Sequence, residues 1–138
     1  MLPKSSKHAQ RIFHLAIPCD DLDMAREFYV NGLGCRLARV MEDRITLDFF
    51  GAQVVCHLCP EDIDTDPDIY PRHFGMTFLD RTEFDRVLGR ARTAGLGFFR
   101  QPFVRFEGRE DEHNAFFLRD PANNLVEFKC YQNPDMMY

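Results

Sequence analysis

The chain has 138 residues, of which 45% are hydrophobic, and its 17 Lys and Arg against 22 Asp and Glu give a net charge of -5. This length predicts one domain, residues 1–138, that can bury a core without disulfides. The acidic balance and the absence of any long Lys/Arg run argue against nucleic acid and anionic membranes as partners, so we expect a small-molecule ligand.

Five cysteines form an odd set without the spacing of a disulfide framework, which favours free thiols in a reducing compartment. Residues 1–11 are polar and lack the apolar core of a signal peptide, and no run approaches the roughly 20 apolar residues of a membrane span. We therefore expect a cytoplasmic protein. The CxxC at Cys56 and Cys59 lies in a predicted strand, where residues three apart point to opposite faces, so we interpret both as buried thiols rather than a pair.

The first half of the chain reads as β-α-β-β-β. Residues 12–17, IFHLAI, predict a strand, and Asp21 is placed to cap a helix that Gly32 and Gly34 end. Three strand-like runs follow, CRLARV, RITLDFF and QVVCHLC, and a hairpin at Gly51-Ala52 joins the last two.

The same pattern then restarts. Residues 60–71 are rich in Pro and Asp and predict a linker. RHFGMTFL predicts a strand, and Thr82 is the expected cap of a helix that again ends at Gly-Leu-Gly. Three further strands are predicted in FVRF, AFFL and LVEFKCY. The chain is thus two βαβββ modules, at about residues 11–59 and 72–131.

Four possible metal ligands occupy what look like repeated positions. His14 and His73 open the first strand of each module, while His57 and Glu127 lie in each fourth strand. Alternate side chains of a strand point to opposite faces of the sheet. We expect the apolar sets that contain Phe13 and Phe74 to face the helices. The four possible ligands would then face the other way, where a curled sheet could bring them together.

Two histidines and one carboxylate from separate strands form the facial arrangement that holds Fe(II) and leaves positions for substrate and dioxygen. Imidazole and carboxylate also suit Zn, Ni, Co and Mn. We therefore predict a divalent metal cofactor on His14, His73 and Glu127, and the ligand set alone does not identify the metal. His57 is a possible fourth ligand.

Three stretches carry a family resemblance: FHLAIPCDDLDMAREFY followed by GLGC, RHFGMTF, and LRDPANNLVEFK. They resemble the vicinal oxygen chelate superfamily, which includes glyoxalase I, extradiol dioxygenases and bleomycin-resistance proteins, and most resemble the small predicted extradiol-type dioxygenases. Asn123 stands where glycine is common in the family, and asparagine tolerates the left-handed conformation.

The resemblance implies an α+β fold in which paired βαβββ modules form an open, U-shaped sheet around a divalent metal. His14, His73 and Glu127 match the ligands of extradiol dioxygenases, whereas His57 is assigned to the position where glyoxalase I has a further ligand, usually Glu. Proteins of this fold commonly form homodimers, with the site within one chain or shared between two.

Three functions remain open at this point. The first is Fe(II) extradiol-type ring cleavage of a catechol-like substrate or another vicinal diol or enediol. The second is glyoxalase-like isomerase or lyase chemistry, which a fourth ligand at His57 would favour. The third is non-catalytic binding of a small molecule, as in resistance proteins.

Three further residues are candidates for catalysis. Lys129 and Tyr131 share the strand parity of Glu127 and could reach substrate oxygens. His113 could act as a general acid or base, although its sequence, EGREDEHNAFF, favours a histidine in a surface loop.

Overall fold

The computed structural model describes residues 10–138, which divide into two compact units. The first unit extends to Thr65 and includes Pro121–Asn124, and the second comprises Asp66–Asp120 and Leu125–Tyr138. Within residues 10–138, no helix is both long enough and apolar enough to span a membrane.

The first unit contains one helical segment and four strands. The strands are β1 (His14–Cys19), β2 (Arg36–Met41), β3 (Arg44–Phe49) and β4 (Ala52–Leu58). Helix α1 (Leu22–Arg26) continues into a π-helical turn at Glu27–Gly32, and a 3-10 turn at Pro60–Asp62 follows β4. The sheet order is β1-β4-β3-β2, with β1 parallel to β4 and the other neighbours antiparallel.

The second unit repeats this topology. Its strands are β5 (Phe74–Phe78), β6 (Gly97–Arg105), β7 (His113–Arg119) and β8 (Leu125–Tyr131), with helix α2 (Arg81–Thr93) after β5 and a 3-10 turn at Pro134–Met137. The sheet order is β5-β8-β7-β6, and β5 is parallel to β8. The predicted α+β class and the βαβββ modules are confirmed.

The helix starts agree with the prediction in one module and differ in the other. Asp21 caps α1, since its carboxylate accepts a hydrogen bond from the Met24 amide at 3.0 Å. Thr82 is not the cap of α2. Asp80 has extended backbone angles and accepts from the Thr82 amide at 2.9 Å, so the cap lies two residues before the predicted one.

Two turns contain left-handed residues that their geometry requires. The hairpin between β3 and β4 turns at Phe50 and Gly51, with φ values of 52° and 98°, and the Asp48 carboxylate accepts from the Gly51 amide at 2.8 Å. Asn123 has a φ of 64°, as predicted, and its side-chain amide donates to the Asp64 carbonyl at 2.9 Å.

Each unit has an aromatic and aliphatic core on the helix side of its sheet. Tyr29, Phe49 and Val54 are fully buried in the first unit, and Phe116 and Phe128 in the second. The prediction for Phe13 was wrong, because this residue precedes β1 and is 70% exposed. All five cysteines lie in the described part of the chain and remain thiols, as predicted, and Cys56 is buried, but Cys59 is only half-buried.

Strands β5 and β8 approach each other closely at Gly75. A Cβ atom built on Gly75 would lie 1.6 Å from the backbone oxygen of Glu127. No side chain fits at that distance, so the register of β5 against β8 requires glycine here.

We predict that Gly75→Ala destabilises the protein by at least about 3 kcal/mol, because backbone must move to admit the methyl group. Gly89→Ala is the matched control. Gly89 lies within α2, and a Cβ atom at this position would meet nothing within 4 Å, so alanine there should stabilise by about 0.5–1 kcal/mol. Urea unfolding of both variants measures this, and equal stability of wild type and Gly75→Ala would contradict the close approach.

Candidate metal and substrate site

The second unit brings two of the predicted ligands together. His73 immediately precedes β5, and Glu127 lies in β8, where it pairs with Gly75. The His73 Nε2 atom is 3.4 Å from Glu127 Oε1, with side-chain exposures of 26% and 13%. The glycine at position 75 is what permits this approach, since it removes the side chain that would separate the strands.

The position of the His73 proton follows from its other contact. His73 Nδ1 lies 2.5 Å from the carbonyl oxygen of Ile69. A carbonyl only accepts, so Nδ1 carries the hydrogen and donates it. In the neutral ring Nε2 is then an acceptor, and it faces a carboxylate oxygen, which is also an acceptor.

Two acceptors that face each other need a proton or a cation between them. Adjacent ligands at about 2.1 Å from a metal are separated by about 3.0 Å at 90° and about 3.4 Å at the tetrahedral angle. The Nε2 to Oε1 distance of 3.4 Å agrees with this range. The hydrogen bond from the second ring nitrogen to a backbone carbonyl is also typical of a metal-binding histidine. The pair therefore fits a divalent metal.

In the first unit, His14 and His57 lie far apart along the sheet. His14 is the first residue of β1 and is exposed, and it pairs with Gln53. His57 pairs with Pro18, four residues further along β1. At about 3.3 Å per residue this places the two histidines about 13 Å apart along the strand direction.

The register corrects the predicted equivalence of His57 and Glu127. Two residues after His73, Gly75 pairs with Glu127. Two residues after His14, Ala16 pairs with Val55. If the two histidines are equivalent, the residue that corresponds to Glu127 is therefore Val55.

By the same register, His57 corresponds to Lys129, because Pro18 pairs with His57 and the corresponding Thr77 pairs with Lys129. The segment between the first and fourth strands differs in length between the two modules, so counting residues along the chain does not align these positions. The equivalence could be read only after strand pairing was known.

The predicted catalytic residues share the face of β8 that carries Glu127. Lys129 is two residues beyond Glu127, about 7 Å along the strand, and Tyr131 is four residues beyond, about 13 Å. His113, the first residue of β7, pairs with Tyr131, and their ring centroids are 4.6 Å apart. The Lys129 ammonium lies 5.5 Å from the Tyr131 ring centroid.

His113 is not the surface-loop histidine that its sequence context favours. It is only 6% exposed, because it begins β7 and packs against Tyr131 and Phe106. Its Nδ1 donates to the Asp111 carbonyl at 3.0 Å, which leaves Nε2 as an acceptor in the neutral ring.

Sequence reasoning missed Arg105 and Tyr70. Arg105 lies in β6 and pairs with His113 in the register of β6 and β7, and its Nη1 donates to the Tyr70 hydroxyl at 2.6 Å. The hydrogen bond to Tyr70 raises the pKa of Arg105, and the charge of Glu127 adds to this. Strand alternation could have placed Arg105 on one face of β6, but the contact with the linker residue Tyr70 depends on tertiary structure.

A separate group of possible ligands lies near the 3-10 turn after β4. Ligand atoms of Cys59, Glu61 and Asp62 are all within 4.8 Å of one another. Desolvation, followed by the charges of Glu61 and Asp62, raises the pKa of the Cys59 thiol. The protonated thiol is a poor metal ligand, and both carboxylates are exposed, so we assign no site here.

The sequence matches the family model described as the Glyoxalase/Bleomycin resistance protein/Dioxygenase superfamily over residues 11–128. A crystal structure of a glyoxalase/bleomycin resistance protein/dioxygenase from Alicyclobacillus acidocaldarius is 52% identical, with a TM-score of 0.91 over 96% of this chain and 99% of that chain.

Two further proteins are more distantly similar. The virulence protein STM3117 of Salmonella typhimurium is 27% identical over 124 residues, covering 88% of this chain and 84% of that protein. The fosfomycin resistance protein FosX from Listeria monocytogenes is 14% identical, with a TM-score of 0.71 over 93% of this chain and 98% of that one, which shows a shared fold alone. The family predicted from the motifs is confirmed: the chain belongs to the glyoxalase/bleomycin resistance protein/dioxygenase superfamily.

Proposed function

We propose that this protein is a divalent-metal-dependent enzyme that binds a small substrate through two neighbouring oxygens. The observation that carries the proposal is the pair of facing acceptors, His73 Nε2 and Glu127 Oε1, 3.4 Å apart, with the imidazole oriented by the Ile69 carbonyl. The sequence repeat makes His14 the proposed third ligand, from this chain or from the second chain of a homodimer.

We propose Fe(II) as the metal and extradiol-type ring cleavage as the reaction. With Val55 at the position that corresponds to Glu127, the ligand set has two histidines and one carboxylate, which leaves three positions open on an octahedral ion. Zn, Ni, Co and Mn suit the same atoms. The glyoxalase-like alternative is supported less, because its fourth ligand would have to come from a position that is apolar here.

The surrounding residues have separable roles in this proposal. A bound divalent metal would supply stabilisation of negative charge on the substrate oxygens and, as Fe(II), reactivity toward dioxygen. The Phe117 ring packs edge-on against His73 at 5.3 Å and gives the site an apolar wall.

Protons would be handled by groups further along the same face. The Lys129 ammonium would donate a hydrogen bond to a substrate oxygen and keep its charge, and His113 Nε2 would accept a proton either from Tyr131 or through a water molecule. His113 lies about 13 Å along the sheet from Glu127, so we propose that it relays protons and does not contact the substrate oxygens at the metal.

We predict that His73→Ala and Glu127→Gln lose metal, because the first removes a donor atom and the second replaces an anionic carboxylate oxygen with a neutral amide oxygen. The loss of affinity should exceed the about 10–100-fold that removal of an outer-sphere partner costs. Metal content per chain, measured by mass spectrometry after anaerobic purification without chelators, tests this. Wild-type stoichiometry in either variant would contradict the ligand assignment.

His57→Ala is the matched comparison, since it removes another histidine from a sheet of the same topology. We predict that it retains metal at the wild-type level, because its register position corresponds to Lys129 rather than Glu127. Loss of metal as severe as in His73→Ala would restore the four-ligand, glyoxalase-like alternative.

We predict that the Fe(II)-loaded protein consumes dioxygen when given catechol and opens the ring. An oxygen electrode and the absorbance of the ring-opened product measure the two quantities together. Isomerisation of a hemithioacetal without oxygen uptake would instead identify a glyoxalase-like enzyme. Tight binding of catechol with neither reaction would favour the resistance-type binding protein.

A further inference from the structure

Two cationic side chains on the same sheet face as Glu127 are half-buried, whereas Arg100 and Arg119 on that face are exposed. The half-buried pair is Lys129 in β8 and Arg105 in β6. Within residues 10–138, neither has a carboxylate oxygen within 4.0 Å of its charged nitrogens. Since no carboxylate contacts either charged group directly, an anion that binds between them could pair with both, so the two side chains point to a ligand.

Arg105 is held in a fixed orientation. Its Nη1 donates to the Tyr70 hydroxyl at 2.6 Å, and its guanidinium carbon lies 5.0 Å from the centroid of the Phe106 ring. A guanidinium has five N–H donors in a planar fork, and the hydroxyl occupies one of them. The fixed fork is suited to two-point binding of a carboxylate or phosphate.

The register places Lys129 and Arg105 so that they can reach the same ligand. Lys129 pairs with Ala115, and Arg105 pairs with His113, the next residue of β7 on that face. The two backbone positions are therefore about 12 Å apart, two strand spacings across the sheet and two residues along it, and long side chains can converge over the small Ala115. Glu127 is one step further along β8, so an anion held here would lie beside the proposed metal.

The linker segment connects this cationic pair to the metal ligand. Tyr70 accepts a hydrogen bond from Arg105. The residue before it, Ile69, accepts one from His73 through its backbone carbonyl. The Tyr70 and His73 rings also meet edge to face at 6.1 Å. Residues 69 and 70 therefore orient both Arg105, which would bind the anion, and His73, which would bind the metal.

We propose that the substrate carries an oxyanion, a carboxylate or a phosphate, which Arg105 and Lys129 bind while its vicinal oxygens meet the metal. This proposal rests on the proposed function, whose site it extends. The apolar part of the substrate would lie against the accessible part of Phe103, whose ring stacks on the buried Phe117 with a centroid distance of 6.3 Å. Catechol itself would leave both cations without an anion, so the proposal predicts that anionic diols or enediols are better substrates than catechol.

The test uses metal-free protein, so that anion binding is measured apart from the metal. Inorganic phosphate and benzoate are titrated separately, and binding is followed by NMR and calorimetry. We expect Arg105→Gln and Lys129→Gln each to weaken binding by about 10-fold or more, because a charge-assisted hydrogen bond is lost. Tyr70→Phe should weaken anion binding less, since the Arg105 guanidinium remains but loses its hydrogen bond to the Tyr70 hydroxyl.

Arg92→Gln is the control, because it removes an exposed charge from α2 in the same unit. Equal binding in Arg105→Gln and Arg92→Gln, or no binding of either probe to wild type, would overturn the proposal. Tighter binding of benzoate would assign a carboxylate substrate, and tighter binding of phosphate a phosphorylated one.

A further pair of measurements separates this proposal from the metal assignment. His73→Ala should lose metal and still bind the anion in the metal-free state, whereas Arg105→Gln should keep metal. If His73→Ala retains metal while Arg105→Gln loses the anion, the metal assignment fails and the anion site stands. If Arg105→Gln binds the anion as wild type does, the anion site fails whatever the metal result.

Discussion

The close parallel approach of β5 and β8 at Gly75 is the constraint on which the candidate site depends. Without a side chain at this position, the backbone of Glu127 lies against Gly75, and His73, two residues earlier, comes within 3.4 Å of the Glu127 carboxylate. The same register sets the positions of Lys129 and Tyr131 along β8. A single glycine thus fixes where the two candidate ligands of the second unit meet.

The segment before β5 adds the orientation that strand pairing alone does not provide. The Ile69 carbonyl fixes the hydrogen of His73 on Nδ1, so that Nε2 presents a lone pair to the site. Tyr70 fixes the guanidinium of Arg105. Residues that the sequence predicts to be an acidic linker therefore position two groups of the candidate site. Loops on a rigid scaffold often position functional residues in this way.

The two modules have the same topology but different chemistry at corresponding positions. The first unit has Val55 where the second has Glu127, and His57 where the second has Lys129. A duplicated fold can vary such positions freely, because the apolar side of each sheet carries the core. This difference is why the three-ligand set is proposed here and the four-ligand set is not.

Much of the fold and part of the site followed from the sequence itself. Alternation within strands, the Asp21 cap and the two Gly-Leu-Gly stops predicted the repeated βαβββ order, because these signals depend on near neighbours. Only the tertiary structure decided the register of β1 against β4, the burial of His113 and the contact of Arg105 with Tyr70. Those features join residues across loops whose lengths carry no information about which strand residues will pair.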